Sequence, residues 1–303
     1  MYEKILVPLD GSELAEVSLP YAGELAGKLG SEVTLIHVCE STEQQYHNMH
    51  QIYLQKMAEV TKQLIKKSVE KSGAASITVK AELLNGHPAE QILDFAEKQR
   101  IDLIVIATHG RSGIQRWVLG SVADKVVNAT KQPVLLIRAR GVHHHDADKV
   151  KTGRILLTLD GSKESEAVIP YVQELATRLK AEVILFQVVP PPSPVITIPG
   201  ETMQIPYTPA QVELWKADAL AYLEKMADEF KSRRIKARSE VKEGDPAQEI
   251  IAAADEAKAD LVAMSTHGRS GIRRWALGST AGKVLHGGNT SLFLVRAQAA
   301  KSD

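Results

Sequence analysis

The sequence predicts an α/β fold made twice: two tandem, doubly wound, Rossmann-like parallel-sheet domains of five strands each, with strand order 3-2-1-4-5. The first observation is an internal repeat. Ile5–Ser12 (ILVPLDGS) returns as Ile155–Ser162 (ILLTLDGS), and Val33–Val38 (VTLIHV) as Val183–Val188 (VILFQV), both at an offset of 150. Gly86-His87-Pro88-Ala89 returns as Gly244-Asp245-Pro246-Ala247 at an offset of 158, and Thr108–Ser121 matches Thr266–Ser279 at all but positions 115 and 118. The second observation is the alternation, within each copy, of short apolar runs with segments of helical period, the pattern of βαβ units with right-handed crossovers. The third is length: 303 residues exceed one ordinary domain and leave each copy room for a core.

In the first copy, Ile5 to Leu9 is a continuous apolar run, as expected of a strand buried on both faces. Leu14, Val17, Leu19, Tyr21, Leu25 and Leu29 then follow at helical spacing, read as one helix that Gly30 terminates. Val33 to Val38 is the second strand; a long helix runs over 45–71; Thr78 to Leu83 is the third strand. Pro88 suits the first turn of a helix reaching about Gln99, and Asp245 in the second copy is an N-cap at the equivalent place. Leu103 to Ile106 is the fourth strand, a helix opens at Gly120, and Val134 to Ile137 is the fifth. The step from 150 to 158 requires a net insertion, which the prolines at 190–192, 194 and 199 place in a loop of the second copy. Residues 138–153 lack apolar periodicity, so the division reads 1–140, a linker over 141–153, and 154–303.

Composition narrows the function. Lys+Arg and Asp+Glu are both 37, giving zero formal net charge and a pI near 7.2, which argues against a partner held by a broad basic face, nucleic acid or membrane. No apolar run approaches a membrane span, and the expected setting is cytoplasmic. The single cysteine, Cys39, excludes a disulfide framework and a cysteine-rich zinc site, and it reads as a small core residue. His143-His144-His145 with Asp146 and Asp148 reads as solvated linker rather than a metal site.

In doubly wound sheets, ligands bind beyond the carboxyl ends of the strands where their order reverses, here between strands 1 and 4. The two best-matched loops follow those strands: Asp10-Gly11-Ser12 and Thr108-His109-Gly110. The second has the ingredients of a phosphate cradle. Gly110 and Gly113 allow close backbone approach, and Gly120-Ser121 opens a helix whose amides and dipole favour an anion. Two copies agreeing over 14 residues outweigh the ordinary reading of glycines as mere turns. There is no G-x-x-x-x-G-K-[ST], and no G-x-G-x-x-G after the first strand, so neither a P-loop nor a dinucleotide enzyme is indicated.

These residues resemble a tandem pair of universal stress proteins, over essentially both halves. ATP-binding members of that family carry G-x2-G-x9-G-[ST]. Here nine residues separate Gly110 from Gly120-Ser121, and nine separate Gly268 from Gly278-Ser279; the first glycine of the motif is replaced by Ala107 and by Ser265. A positive φ at those two positions would cost about 1 kcal/mol or more. The resemblance implies ATP, with or without Mg2+, or else ADP or AMP. It places Pro8 and Asp10, with Thr158 and Asp160, at the nucleoside end, and Val38 with Ile106, and Val188 with Met264, around the base. It sets His109, Gly110, Arg111, Gly113, Gly120, Ser121 and Val122 around one phosphate group, and His267, Gly268, Arg269, Gly271, Gly278, Ser279 and Thr280 around the other. Competing structural roles are Asp10 as a helix cap, His109 and His267 as partners of loop backbone, Arg116, Arg273 and Arg274 as solvated surface, and Trp117 and Trp275 as core anchors.

No G-x-S-x-G, H-E-x-x-H or nucleophile with a base is found, and no catalytic residue or metal site is assigned. Nor does the first loop match the S-G-G-x-D-S of adenylating pyrophosphatases. The reading is a nucleotide-dependent stress-response or signalling module with at most slow hydrolysis; the alternative is a weak ATPase or nucleotide-processing enzyme. The apolar last strands, Val134 to Ile137 and Leu292 to Val295, would be hazards if left bare. Family members pair this strand between subunits, which implies an intramolecular pseudo-dimer of the halves and leaves a further homodimer open.

Overall fold

The computed structural model describes residues 1–40, 44–72, 78–108, 119–138, 150–189, 195–198, 201–204, 207–268 and 277–297. In chain order the elements are β1 (Lys4–Leu9), α1 (Glu13–Glu16), α2 (Ser18–Leu29), β2 (Glu32–Cys39), α3 (Gln44–Ser72), β3 (Val79–Asn85), α4 (Pro88–Lys98), β4 (Leu103–Ala107), α5 (Ser121–Ala129) and β5 (Val134–Ile137). The second half continues with β6 (Arg154–Thr158), α6 (Lys163–Glu166), α7 (Ile169–Leu179), β7 (Glu182–Val189), β8 (Val195–Ile198), β9 (Glu201–Gln204), α8 (Pro209–Ser232), β10 (Ala237–Glu243), α9 (Pro246–Glu256), β11 (Leu261–Ser265), α10 (Ser279–Gly287) and β12 (Ser291–Val295). Residues 141–149 of the expected linker lie outside the described residues, as do Trp117 and Trp275.

One compact unit takes in the described residues of 1–152 together with Ser291–Arg296. Its strands stand in the order β12-β5-β4-β1-β2-β3, parallel except for β12, which runs antiparallel to β5 with Leu292 opposite Leu136 and Leu294 opposite Val134. Ile5, Leu6 and Val7 have no exposed surface, as a strand covered on both faces requires. Arg296 follows β12, and its guanidinium lies 3.4 Å from the carbonyls of Asn128, Ala129 and Thr130, the free C-terminal end of α5. On the sheet's other side α2 packs unusually close to α3: a Cβ at Gly23 would lie 2.8 Å from Leu64 Cβ, and one at Gly27 2.6 Å from Ser68 Cβ.

The other unit comprises the described residues of 153–272 and 277–290, with Ala297. Its parallel strands stand in the order β10-β7-β6-β11, the same 3-2-1-4 arrangement as the first copy. Leu156, Leu157 and the segment Val183–Phe186 form its fully buried centre.

Several boundaries differ from the sequence expectation. The single helix after the first strand is two, α1 and α2, because Pro20 has no amide to donate to Glu16 and the ladder breaks there; Pro170 does the same between α6 and α7. The proline-rich insertion is not wholly loop. It holds the antiparallel pair β8-β9, with Val195 opposite Gln204 and Ile198 opposite Glu201, built on a β-branched run that the neighbouring prolines masked. Gly30 does close α2, at φ +76°, with its amide donating to Ala26. Asp245 does cap α9, its carboxylate accepting from Ala247 and Gln248 at 3.0 and 3.1 Å.

Candidate functional site

Each unit has a cavity at the carboxyl ends of its first and fourth strands, walled by the next helix on each side. In the first, of about 260 Å3, β1 contributes Pro8, Leu9 and the following Asp10; β2 contributes Ile36 and Val38; β4 contributes Ile106 and Ala107, followed by Thr108. Gly120, Ser121, Val122 and Ala123 at the start of α5 form the far wall, with Pro88 and Ile92 of α4. The second cavity, of about 400 Å3, has Thr158, Leu159, Asp160, Phe186, Val188, Met264, Ser265, Thr266, His267, Gly268, Gly278, Ser279 and Thr280 in the corresponding places. His109, Gly110, Arg111, Gly113, Arg269 and Gly271 lie outside the described residues.

The walls follow from strand pleating. Ile36 and Val38 are two apart on β2 and share a face, as do Phe186 and Val188 on β7. Ile36, Phe186, Ile92 and Ile250 were not singled out from sequence, and Pro88 and Pro246 were read as the repeated helix start rather than as cavity wall. The period of two from Val38 and Val188, and the repeated Gly-x-Pro-Ala, carried the signal. Ala107 and Ser265 are the last residues of their strands, and neither has a positive φ, so the strain expected of a missing glycine does not arise there.

The aspartates do not cap a helix. Ser12 caps α1, its hydroxyl accepting from Ala15 at 3.2 Å, and Asp10 Oδ1 in turn accepts from the Ser12 amide and hydroxyl at 3.0 and 2.6 Å. Asp160 repeats this with Ser162 at 2.9 and 2.5 Å. Its other oxygen lies so near Gly268 that a Cβ there would stand 2.2 Å from Asp160 Oδ2. The loops after β6 and β11 are thus in contact through a carboxylate and a glycine.

At the helix starts, the Gly120 amide donates to Thr108 and the Gly278 amide to Thr266, both at 2.8 Å, which folds each helix back over its strand. Neither N-cap glycine has a side chain to satisfy the first-turn amides of α5 or α10, so those amides face whatever enters the cavity. His267 is buried beside them, with Nδ1 2.9 Å from Thr266 Oγ1, and its buried Nε2 has no hydrogen-bond partner among the described residues. A buried ring nitrogen in that state is costly unless a ligand, water or rearrangement serves it.

Behind the first cavity, His37 on β2 bonds Leu9 O through Nδ1 at 2.9 Å and stacks on His50 of α3 with centroids 4.2 Å apart. Tyr53 lies against the same cluster, and burial, then the Glu16 charge, raise its phenol well above the ordinary range. In the second unit Tyr222 of α8 donates to Glu166 Oε1 at 2.8 Å, and burial and that carboxylate raise its phenol likewise. Among the described residues no group of three metal-ligating side chains occurs, and no helix is long and apolar enough to cross a membrane.

The family model described as the universal stress protein family matches the chain twice, over residues 1–138 and 151–296. A universal stress protein of Methanocaldococcus jannaschii is 32% identical over 145 residues, covering 46% of this chain and 83% of that protein. One of Synechocystis is 23% identical over 312 residues, covering 93% of this chain and 96% of its own. The crystal structure of a universal stress protein from Archaeoglobus fulgidus superposes with a TM-score of 0.66 at 20% identity, covering 97% of this chain and 96% of that one, and so shares the fold. With the family model spanning nearly the whole length in two copies, the chain belongs to the universal stress protein family as a tandem member.

Proposed function

We propose that each half binds one adenine nucleotide, ATP foremost, and that nucleotide occupancy switches a stress-response or signalling module in the cytoplasm. The observation that carries this reading is the pair of cavities, each joining an apolar wall, one aspartate and an uncapped helix N-terminus beyond strands 1 and 4. Apolar walls such as Val38 and Ile106, or Phe186 and Met264, suit a base. The amides from Gly120 to Val122 and from Gly278 to Thr280, with the Ser121 and Ser279 hydroxyls, suit phosphates, and Asp10 and Asp160 suit ribose hydroxyls. His109, Gly110, Arg111, Gly113, Arg269 and Gly271 complete the proposed set. Glycine at 278 lets the start of α10 sit close over the end of β11, since a Cβ there would lie 3.0 Å from Thr266 O. Asp10 and Asp160 are the carboxylates lining the cavities among the described residues, and each already serves a serine, which supports binding rather than phosphoryl transfer. The proposal extends to a pseudo-dimer of the two halves within the chain.

Titration calorimetry of the full chain with ATP tests the proposal. Two binding events per chain are expected, with ADP and AMP weaker. An absence of heat and of thermal stabilisation at millimolar ATP sinks it.

A further inference from the structure

The cavity walls differ between the copies in the polarity of two strand ends. Around the first cavity, Pro8, Val38, Ile92, Ile106 and Ala107 are apolar and bring no side-chain donor or acceptor. In the second, Val188, Ile250 and Met264 keep that character, but Thr158 stands at the place of Pro8 and Ser265 at the place of Ala107. Both hydroxyl residues are more than nine-tenths buried, with 7% and 6% exposure. The strands themselves pair alike in the two copies, β1 between β2 and β4 and β6 between β7 and β11, so the difference lies with the residues at these positions.

The two hydroxyls have complementary capacities. Thr158 Oγ1 donates its proton to Ala263 O at 3.5 Å, which leaves its lone pairs to accept from a ligand. Ser265 Oγ accepts from the His267 amide at 3.4 Å, which leaves its proton to donate. The second cavity thus offers a side-chain acceptor and a side-chain donor on neighbouring strands, where the first offers a ring and a methyl group.

A purine tells such walls apart by its edge. Adenine carries a ring nitrogen and an amine there; guanine carries a carbonyl oxygen, a ring N–H and an amine. Each of these groups gives up water on entering a cavity and costs affinity if nothing replaces it. Guanine has more to lose against an apolar wall, and its adjacent N–H and carbonyl suit an acceptor and a donor.

We infer that Thr158 and Ser265 set base specificity, so that the first half selects adenine whereas the second accepts guanine nucleotides as well. The inference rests on the nucleotide reading above and widens the ligand class of its second site. Its basis is that hydrogen-bonding side chains serve polar groups that a hydrophobic pocket leaves unpaired.

The test uses the full chain with ATP and GTP, calorimetry for affinity, and hydrogen exchange to assign each site through protection around Asp10 or around Asp160. In the parent chain the first half should favour ATP over GTP by about ten- to a hundred-fold, and the second by no more than about five-fold. Thr158→Val and Ser265→Ala should each weaken GTP at the second site about ten-fold and ATP less, and together they should give the second half the preference of the first. Thr158→Ser keeps a hydroxyl and should hold the ratio within about two-fold of the parent. Alanine already fills the equivalent place at position 107, so Ser265→Ala keeps the test open should the threonine change impair folding. The reciprocal Pro8→Thr with Ala107→Ser should narrow the preference of the first half. Equal ATP-to-GTP ratios in the two halves of the parent chain overturn the inference while leaving nucleotide binding intact, as does a second-site ratio unmoved by Thr158→Val and Ser265→Ala. A parent chain that binds neither nucleotide overturns the nucleotide reading itself, and this inference with it.

Discussion

Gly278 and Gly282 stand four residues apart at the start of α10, and they should respond to alanine in opposite directions. Gly278 has φ −57°, so an L-residue meets no conformational barrier there. What opposes it is space: the new Cβ would lie 3.0 Å from Thr266 O and 3.7 Å from His267 Cα. The carbonyl cannot swing away without loss, because it accepts the Gly278 amide at 2.8 Å. An ordinary carbon–oxygen approach is about 3.3–3.6 Å, so the helix start or the loop must yield by a few tenths of an ångström. Overpacking of this kind costs about 1–3 kcal/mol, offset by about 0.4–1 kcal/mol from the stiffer unfolded chain. A net loss of roughly 1 kcal/mol follows, or about 2–4 °C in Tm for a domain of this size. A Cβ on Gly282 meets nothing within 4 Å, so helix propensity alone acts and alanine should stabilise by about 0.8–1 kcal/mol. Scanning calorimetry reads both changes. On the nucleotide reading, Gly278→Ala also weakens ATP at the second site about ten-fold by shifting the amides, and Gly282→Ala leaves it unchanged. Gly278→Ala as stable as the parent chain would refute the steric argument.

Two further outcomes follow from caps. Asp245 caps α9 and lies 3.3 Å from Lys283; burial opposes its charge, but the Gln248 amide, Lys283 and the Ala247 amide together hold its pKa below the ordinary 3.8. A depressed acid contributes stability that is complete above its unfolded pKa and is lost as pH falls through the folded value. Asp245→Asn keeps a cap but gives up the charge's contribution. It should therefore be less stable than the parent at pH 7, approach it below about pH 4 and show a flatter acid limb. Asp245→Ala loses the cap as well and should cost about 1 kcal/mol or more at neutral pH; urea titrations between pH 2 and 7 separate them. Arg296→Met removes the donors facing three carbonyls at the end of α5 and should lower stability by about 1–2 kcal/mol, with amides of α5 and β5 exchanging faster; unchanged protection there would deny the cap its role.

Much of this was legible in the chain because period and repeat report the same thing. The continuous apolar runs located β1, β4 and β5 to within a residue, and the Gly30 and Asp245 caps were readable from residue type alone. The break between α1 and α2 was missed because the apolar spacing continues smoothly through it, and only the absent amide of Pro20 interrupts the ladder. The pair β8-β9 was missed because prolines flank a run of only four β-branched or similar residues, too short for periodicity to show. In the cavities, the strand-end residues were legible from the repeat, whereas Ile92 and Ile250 were not. They reach the wall from helices that approach only after folding, and their spacing reads equally well as core.

The duplication separates two kinds of constraint. Where α2 meets α3, Gly23 and Gly27 admit a close approach that the second copy does without, having Gln173 and Thr177 at those offsets; helix packing has therefore drifted while the sheet stayed fixed. The loops beyond strands 1 and 4 have drifted far less. Asp160 and Gly268 bring the loops after β6 and β11 together, and Gly278 closes the second of those loops onto Thr266. A contact between loops adds little to a core already built from Leu156, Leu157 and the buried run of β7. The retention of these loop residues in both copies, together with a buried His267 Nε2 that has no hydrogen-bond partner among the described residues, supports the nucleotide reading proposed above.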